Sequence, residues 1–143
     1  MQVEMRLGPG NGRFEFQKWP VYQRALLFVK ASFQLCDEFP KDSATGLRDQ
    51  LRRASQSIPL NIAEGCSRYS SKDKANFWRV AKGSVFECVA ILALVKTLEL
   101  VDRSTEELQI ELEHLGKMLS GLIRFIERSP RKSGDNFGAT TSR

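Results

Sequence analysis

The chain has 143 residues, 41% hydrophobic and 27% charged, with a net charge of +5. That length allows one domain with a real hydrophobic core, and that balance excludes an intrinsically disordered chain. No apolar run approaches the ~20 residues needed to span a bilayer, and MQVEMRLGPGNGR at the N-terminus lacks the apolar stretch of a signal peptide.

In chain order, residues 1–13 contain Gly8-Pro9-Gly10-Asn11-Gly12 and read as a flexible tail. Phe14, Phe16 and Trp19 form an apolar lead-in, and Pro20 suits the first turn of a helix, where its missing N–H costs nothing. Val21, Ala25, Phe28, Ser32 and Leu35 then recur at helical spacing, flanked by Val29 and Cys36. This first helix ends near Glu38, because a residue preceding Pro40 avoids the α region.

The second helix runs from about Ala44 to Glu64, with Leu47, Leu51, Ala54, Ile58 and Ile62 as its apolar stripe. Pro59 lies inside that stripe and predicts a kink, since it removes one hydrogen bond and crowds the carbonyl of Ser55. Gly65 stands where a left-handed residue would stop the helix.

Ser70, with Asp73 three residues on, starts the third helix as a loose capping box. It continues to about Glu99 with a core stripe of Phe77, Val80, Ala81, Ser84, Cys88, Ile91, Val95 and Leu98. Its back is also apolar, carrying Phe86, Val89, Ala90, Ala93 and Leu94. A helix hydrophobic all round must be covered on both sides, so these five residues are expected at an interface between copies of the chain. The alternative is that the N-terminal segment folds across them.

The fourth helix begins near Thr105, with Glu106 and Glu107 in the first turn where the helix dipole favours them. Leu108, Leu112, Leu115, Leu119, Leu122 and Ile126 alternate steps of four and three, the seam of a bundle. Residues 129–143 have no period and read as a disordered tail. Four helices with short connections predict an all-α, antiparallel up-down four-helix bundle over residues 14–128. The apolar back of the third helix predicts a homo-oligomer, whose ring-like form is implied only by the family resemblance given below.

The charge is unevenly spread. Between Gly46 and Lys82, eight basic residues (Arg48, Arg52, Arg53, Arg68, Lys72, Lys74, Arg79, Lys82) meet three acidic ones (Asp49, Glu64, Asp73). The local surplus of five equals the whole chain's net charge of +5, so everything outside this stretch is neutral. A positive surplus confined to one helical corner is the footprint of a phosphate-backbone binder. At 100° per residue, Arg48 and Arg52 share one flank of the second helix and are expected to face phosphate, joined by Arg68, Lys72, Lys74, Arg79 and Lys82. Arg53 falls on the opposite flank, in line with Glu64, and is assigned with it to a structural ion pair. Tyr69 and Trp78 lie among the cations, where either could stack on an unpaired base, although Trp78 falls near the edge of the core stripe and reads better as packing.

Catalytic constellations are not convincing. A serine or cysteine triad would need His114, the one histidine, which falls beside Met118 and Phe125 off the main seam. Cys36 and Cys88 lie on core stripes as small hydrophobes. Cys36, Cys66 and Cys88, widely spaced and never CxxC, fit a reducing cytoplasm. The glycines near the N-terminus precede no strand and form no phosphate cradle. Asn61 and Glu64 follow the proline, but holding an arginine is the simpler role for Glu64. No metal site and no cofactor are expected.

The segments FEFQKWPVYQRA, GLRDQLRRASQSIPLNIAEG and FWRVAKGSVFE resemble, in order and spacing, the small four-helix-bundle family encoded in intervening sequences of bacterial 23S ribosomal RNA genes. The resemblance spans about residues 14–126, and Ser57 to Gly65 is its most specific part. A related branch is the accessory variability determinant of diversity-generating retroelements. The resemblance implies a homopentamer shaped like a basic barrel, without known enzymatic activity. In the retroelement branch it also implies binding to RNA or DNA and to a reverse transcriptase. The residues themselves leave a different reading open, an oligomeric interaction module whose positive face docks an acidic protein.

Overall fold

A computed structural model describes residues 13–43 and 45–129, so the expectations for both tails fall largely outside the described residues. Four helices follow a 3₁₀ turn (Glu15–Lys18): α1 (Pro20–Asp37), α2 (Leu47–Cys66), α3 (Ser71–Thr97) and α4 (Glu106–Arg128). Among the described residues there is no strand, and no helix is long and apolar enough to cross a membrane. α2 packs on α1 and α3, α3 on α4, and α4 on α1, which closes a four-helix bundle around a main core, with a smaller cluster of Ala75, Trp78 and Ile123 beside it.

The stripes of α1 and α2 are buried as the spacing predicts. Val21, Ala25, Phe28, Ser32, Leu35 and Cys36 lie inside on α1, and Leu47, Leu51, Ala54, Ile58 and Ile62 on α2. α4 buries Leu108, Leu112, Leu115 and Leu119, and then shifts to Ile123, leaving Leu122 and Ile126 half-buried. In α3 the phase is corrected. Ala81, Ser84, Cys88, Ile91 and Val95 are buried, but Trp78, Val85 and Leu92 take the places expected for Phe77, Val80 and Leu98. A helix apolar all round carries no phase in its own sequence, so its neighbours set the rotation.

The helix ends show how local chemistry is settled. Gly46 holds φ 69° at the start of α2, a left-handed conformation open to glycine at no steric cost. The Ser70 hydroxyl accepts from the Asp73 N–H at 3.1 Å, as the capping signal predicts. At the end of α3, Glu99 takes φ 50° and Leu100 N–H reaches back to Val95 O at 3.1 Å, closing a Schellman-type turn.

Gly65 needs correcting. It is not a left-handed stop: α2 continues through it to Cys66. Its role is to let the Trp78 indole come close, for a Cβ there would sit 2.7 Å from Trp78 Cδ1 and 3.1 Å from Lys74 O. The indole N–H donates to Ile62 O at 3.2 Å, which ties α3 to α2 at that point. One turn earlier Ser84 Oγ donates to Ser57 Oγ at 2.7 Å, and Asn61 Nδ2 donates to the same Ser57 Oγ at 2.9 Å. The Ser57–Gly65 segment is therefore the clasp between α2 and α3. The residues on both sides of the buried Pro59 stay helical.

Candidate nucleic-acid interface

The cations between Gly46 and Lys82 do not all reach outward. Arg48 turns inward across the α1–α2 connection, donating from Nε to Cys36 O at 3.2 Å and from Nη2 to Phe39 O at 3.1 Å and Pro40 O at 3.2 Å. Cys36 lies in the last turn of α1, where a guanidinium also suits the helix dipole, and Phe39 and Pro40 follow in the connection to α2. Arg48 is thus a structural clamp, which corrects its assignment to phosphate. Arg52 beside it pairs with Asp37 at 3.4 Å and lies over the Phe33 ring at 5.4 Å. Its Nε is buried without a partner.

The expected Arg53–Glu64 pair does not form within the chain. Glu64 takes Arg68 one turn later at 2.7 Å, and Arg53 is exposed with no carboxylate partner among the described residues. An i,i+4 partner on the same helical path is simply nearer than one eleven positions back. Arg68 also covers the Phe77 ring at 4.6 Å, and Arg79 pairs with Glu127 across to α4.

That leaves Lys72, Lys74 and Lys82 from the predicted set without a carboxylate partner among the described residues. Lys72 is exposed at the α2–α3 corner, and Lys74 Nζ lies 3.3 Å from Cys66 O. Lys82 is half-buried on α3. Tyr69, 99% exposed, stands at the corner, whereas Trp78 is buried as a packing residue.

The back of α3 is open. Phe86 (63% exposed), Val89 and Leu94 face solvent, and Ala90 and Ala93 between them are exposed too. The described part of the N-terminal segment does not cover them. It packs instead at one end of the bundle, with Trp19 against Trp78 at a ring distance of 6.1 Å. A groove of about 640 Å³ between α3 and α4 borders the open face, its rim carrying Phe86, Val89 and Ile110, and Lys82 and Arg124 lie along it. The apolar seam of α4 gave no sign of this groove, because Ile110 and Arg124 both lie off it.

His114 joins a contact between α1 and α4. Arg24 donates to its Nδ1 at 2.8 Å while forking onto Glu111 at 2.8 and 2.9 Å. The hydrogen bond to Glu111 holds the Arg24 guanidinium above its ordinary range. Burial raises all three thiols, Cys88 up to about 12. No cluster of metal-ligating side chains occurs among the described residues.

A cationic corner and an open apolar helix face on a four-helix bundle define the class, an all-α protein. Residues 17–121 match the model of the 23S rRNA-intervening sequence protein family, and the chain belongs to that family. A solved protein of unknown function from the S23 ribosomal protein family of Bacteroides thetaiotaomicron has the same fold. Its TM-score is 0.67 at 23% identity, covering 73% of this chain and 98% of that one. Comparison with curated proteins returns no significant match.

Proposed function

We propose that this protein is a non-enzymatic, homo-oligomeric nucleic-acid-binding protein of the cytoplasm, directed to RNA and able to bring a partner such as a reverse transcriptase to it. The observation that carries this reading is the concentration of the chain's whole positive surplus between Gly46 and Lys82. Arg68, Lys72 and Lys74 are gathered there where α2 turns into α3. Lys72 and Lys74 have no carboxylate to neutralise them among the described residues, and an oligomer would repeat that field around its axis. We read the helices as antiparallel, supported by Gln50–Glu87, Ser57–Ser84 and Ile62–Trp78, contacts that ascend α2 while descending α3. The open face of α3 supports self-association into a ring, and the family resemblance supports five subunits.

The test is a filter-binding titration of structured RNA, single-stranded RNA and duplex DNA at several salt concentrations. Few side chains at the corner are placed to read base edges, so binding is expected to be weakly sequence-selective and strongly salt-dependent. Changing Arg68, Lys72 and Lys74 together to Ala should weaken all three ligands and flatten the log–log salt slope by about 2 units, at about 0.7–0.9 per phosphate contact. Wild-type protein that binds none of them at low salt refutes the reading and puts an acidic protein partner in its place.

A further inference from the structure

At the end of the bundle a cavity of about 430 Å³ opens where the 3₁₀ turn, the α2–α3 corner and the last turns of α4 meet. Its inner wall is the half-buried Trp19, which packs at 66° against the buried Trp78 behind it. On its rim stand Phe14, 64% exposed, and Phe125, 69% exposed. Cys66 and Lys74 line the side toward the corner, where Lys74 Nζ is tethered 3.3 Å from Cys66 O. Two phenylalanines left in water at the mouth of an aromatic-walled cavity are a poor arrangement for an isolated core. They are a good one for a flat π-system entering from outside.

We propose that this cavity accepts an unpaired nucleobase of a single-stranded or bulged nucleic acid, whose flanking phosphates lie on the cations of the adjoining corner. The inference rests on the nucleic-acid reading above and adds what that reading lacks, a reason to prefer unpaired strands. The cations beside the cavity select the occupant. Lys74 belongs to both the cavity lining and the basic corner, and the one carboxylate of the lining, Glu15, is paired with Lys18 at 3.8 Å. A base held in a duplex is already stacked on its neighbours and does not reach a recessed aromatic wall, whereas a splayed one does. The lining is largely apolar and every base has a π-face, so the cavity selects strandedness and tolerates sequence.

The chain has two tryptophans, and both line this cavity, so intrinsic fluorescence reports its occupancy directly. The full-length protein is titrated with oligoadenosine, with an abasic sugar-phosphate strand of equal length, and with blunt duplex DNA. Oligoadenosine is expected to quench the tryptophans and to bind about 5- to 150-fold tighter than the abasic strand, the range that base–aromatic stacking supplies. Phe14→Ala with Phe125→Ala should erase that advantage while leaving duplex affinity and the salt slope unchanged. Both side chains are largely exposed, so the bundle should keep its circular dichroism, and the abasic comparison in wild type needs no variant. Equal affinity for abasic and base-bearing strands without quenching refutes the cavity and leaves phosphate binding standing. So does a double variant that binds oligoadenosine as wild type does. Failure of all three ligands to bind at low salt removes the nucleic-acid reading itself.

Discussion

Replacing Gly65 with alanine tests the packing of the α2–α3 clasp. The new methyl would lie 2.7 Å from Trp78 Cδ1, closer still to Nε1, and 3.1 Å from Lys74 O. The indole has little room to retreat, because it is 2% exposed and is backed by Trp19. Overpacking of this kind costs about 1–3 kcal/mol, and displacing the indole N–H from Ile62 O costs a further ~0.5–1.5 kcal/mol. Against that, alanine in a helix gains ~1 kcal/mol over glycine. The net expectation is a loss of about 2 kcal/mol, which lowers Tm by about 4–8 °C for a chain of this size. Urea denaturation followed by circular dichroism and by tryptophan fluorescence, at fixed protein concentration, measures it. Gly83→Ala is the internal control: nothing lies within 4 Å of its Cβ position, so it should gain about 0.5–1 kcal/mol. A Gly65→Ala protein as stable as wild type would refute the argument that Gly65 exists to admit the indole.

Arg48→Ala should lose about 1–2 kcal/mol by removing the hydrogen bonds to Cys36 O, Phe39 O and Pro40 O, yet bind RNA as wild type does once folded. Weaker binding without lost stability would restore Arg48 to the phosphate set. Ala90→Glu or Leu94→Glu should convert an oligomer to monomers while keeping helical content, and a wild-type monomer by light scattering refutes the interface. Cys88 gives a pH signature. Its thiol titrates near 9.0 when unfolded and near about 12 when folded, so the unfolded state ionises first and stability falls as pH rises across that window. The slope from this one group approaches ~1.4 kcal/mol per pH unit. Cys88→Ala should flatten the alkaline limb, and an unchanged limb would contradict the assignment.

Much of the bundle was legible where a helix had a single apolar face. The α2 residues Leu47, Leu51, Ala54, Ile58 and Ile62 could point only one way, and all five are buried. α3 was legible as a helix but not in phase, and it buried Trp78 and Leu92 while exposing Val80 and Leu98. Two aromatic features of the candidate site stood in plain view, the Phe14–Trp19 lead-in and the off-seam Phe125. Their meeting was not, since the 3₁₀ turn must pack against the end of α4 before they share a cavity.

By itself the sequence determined the four helices, their order, most of the core and the confinement of positive charge to one stretch. These follow from periodicity and local chemistry, which act over a few residues. The tertiary structure decided what each polar group is for. Arg48 reads as a phosphate ligand until the end of α1 brings three carbonyls to it, and Gly65 reads as a stop until Trp78 arrives thirteen residues later. A helical wheel fixes the direction in which a side chain points, whereas the partner it meets comes from another helix and is fixed only by packing.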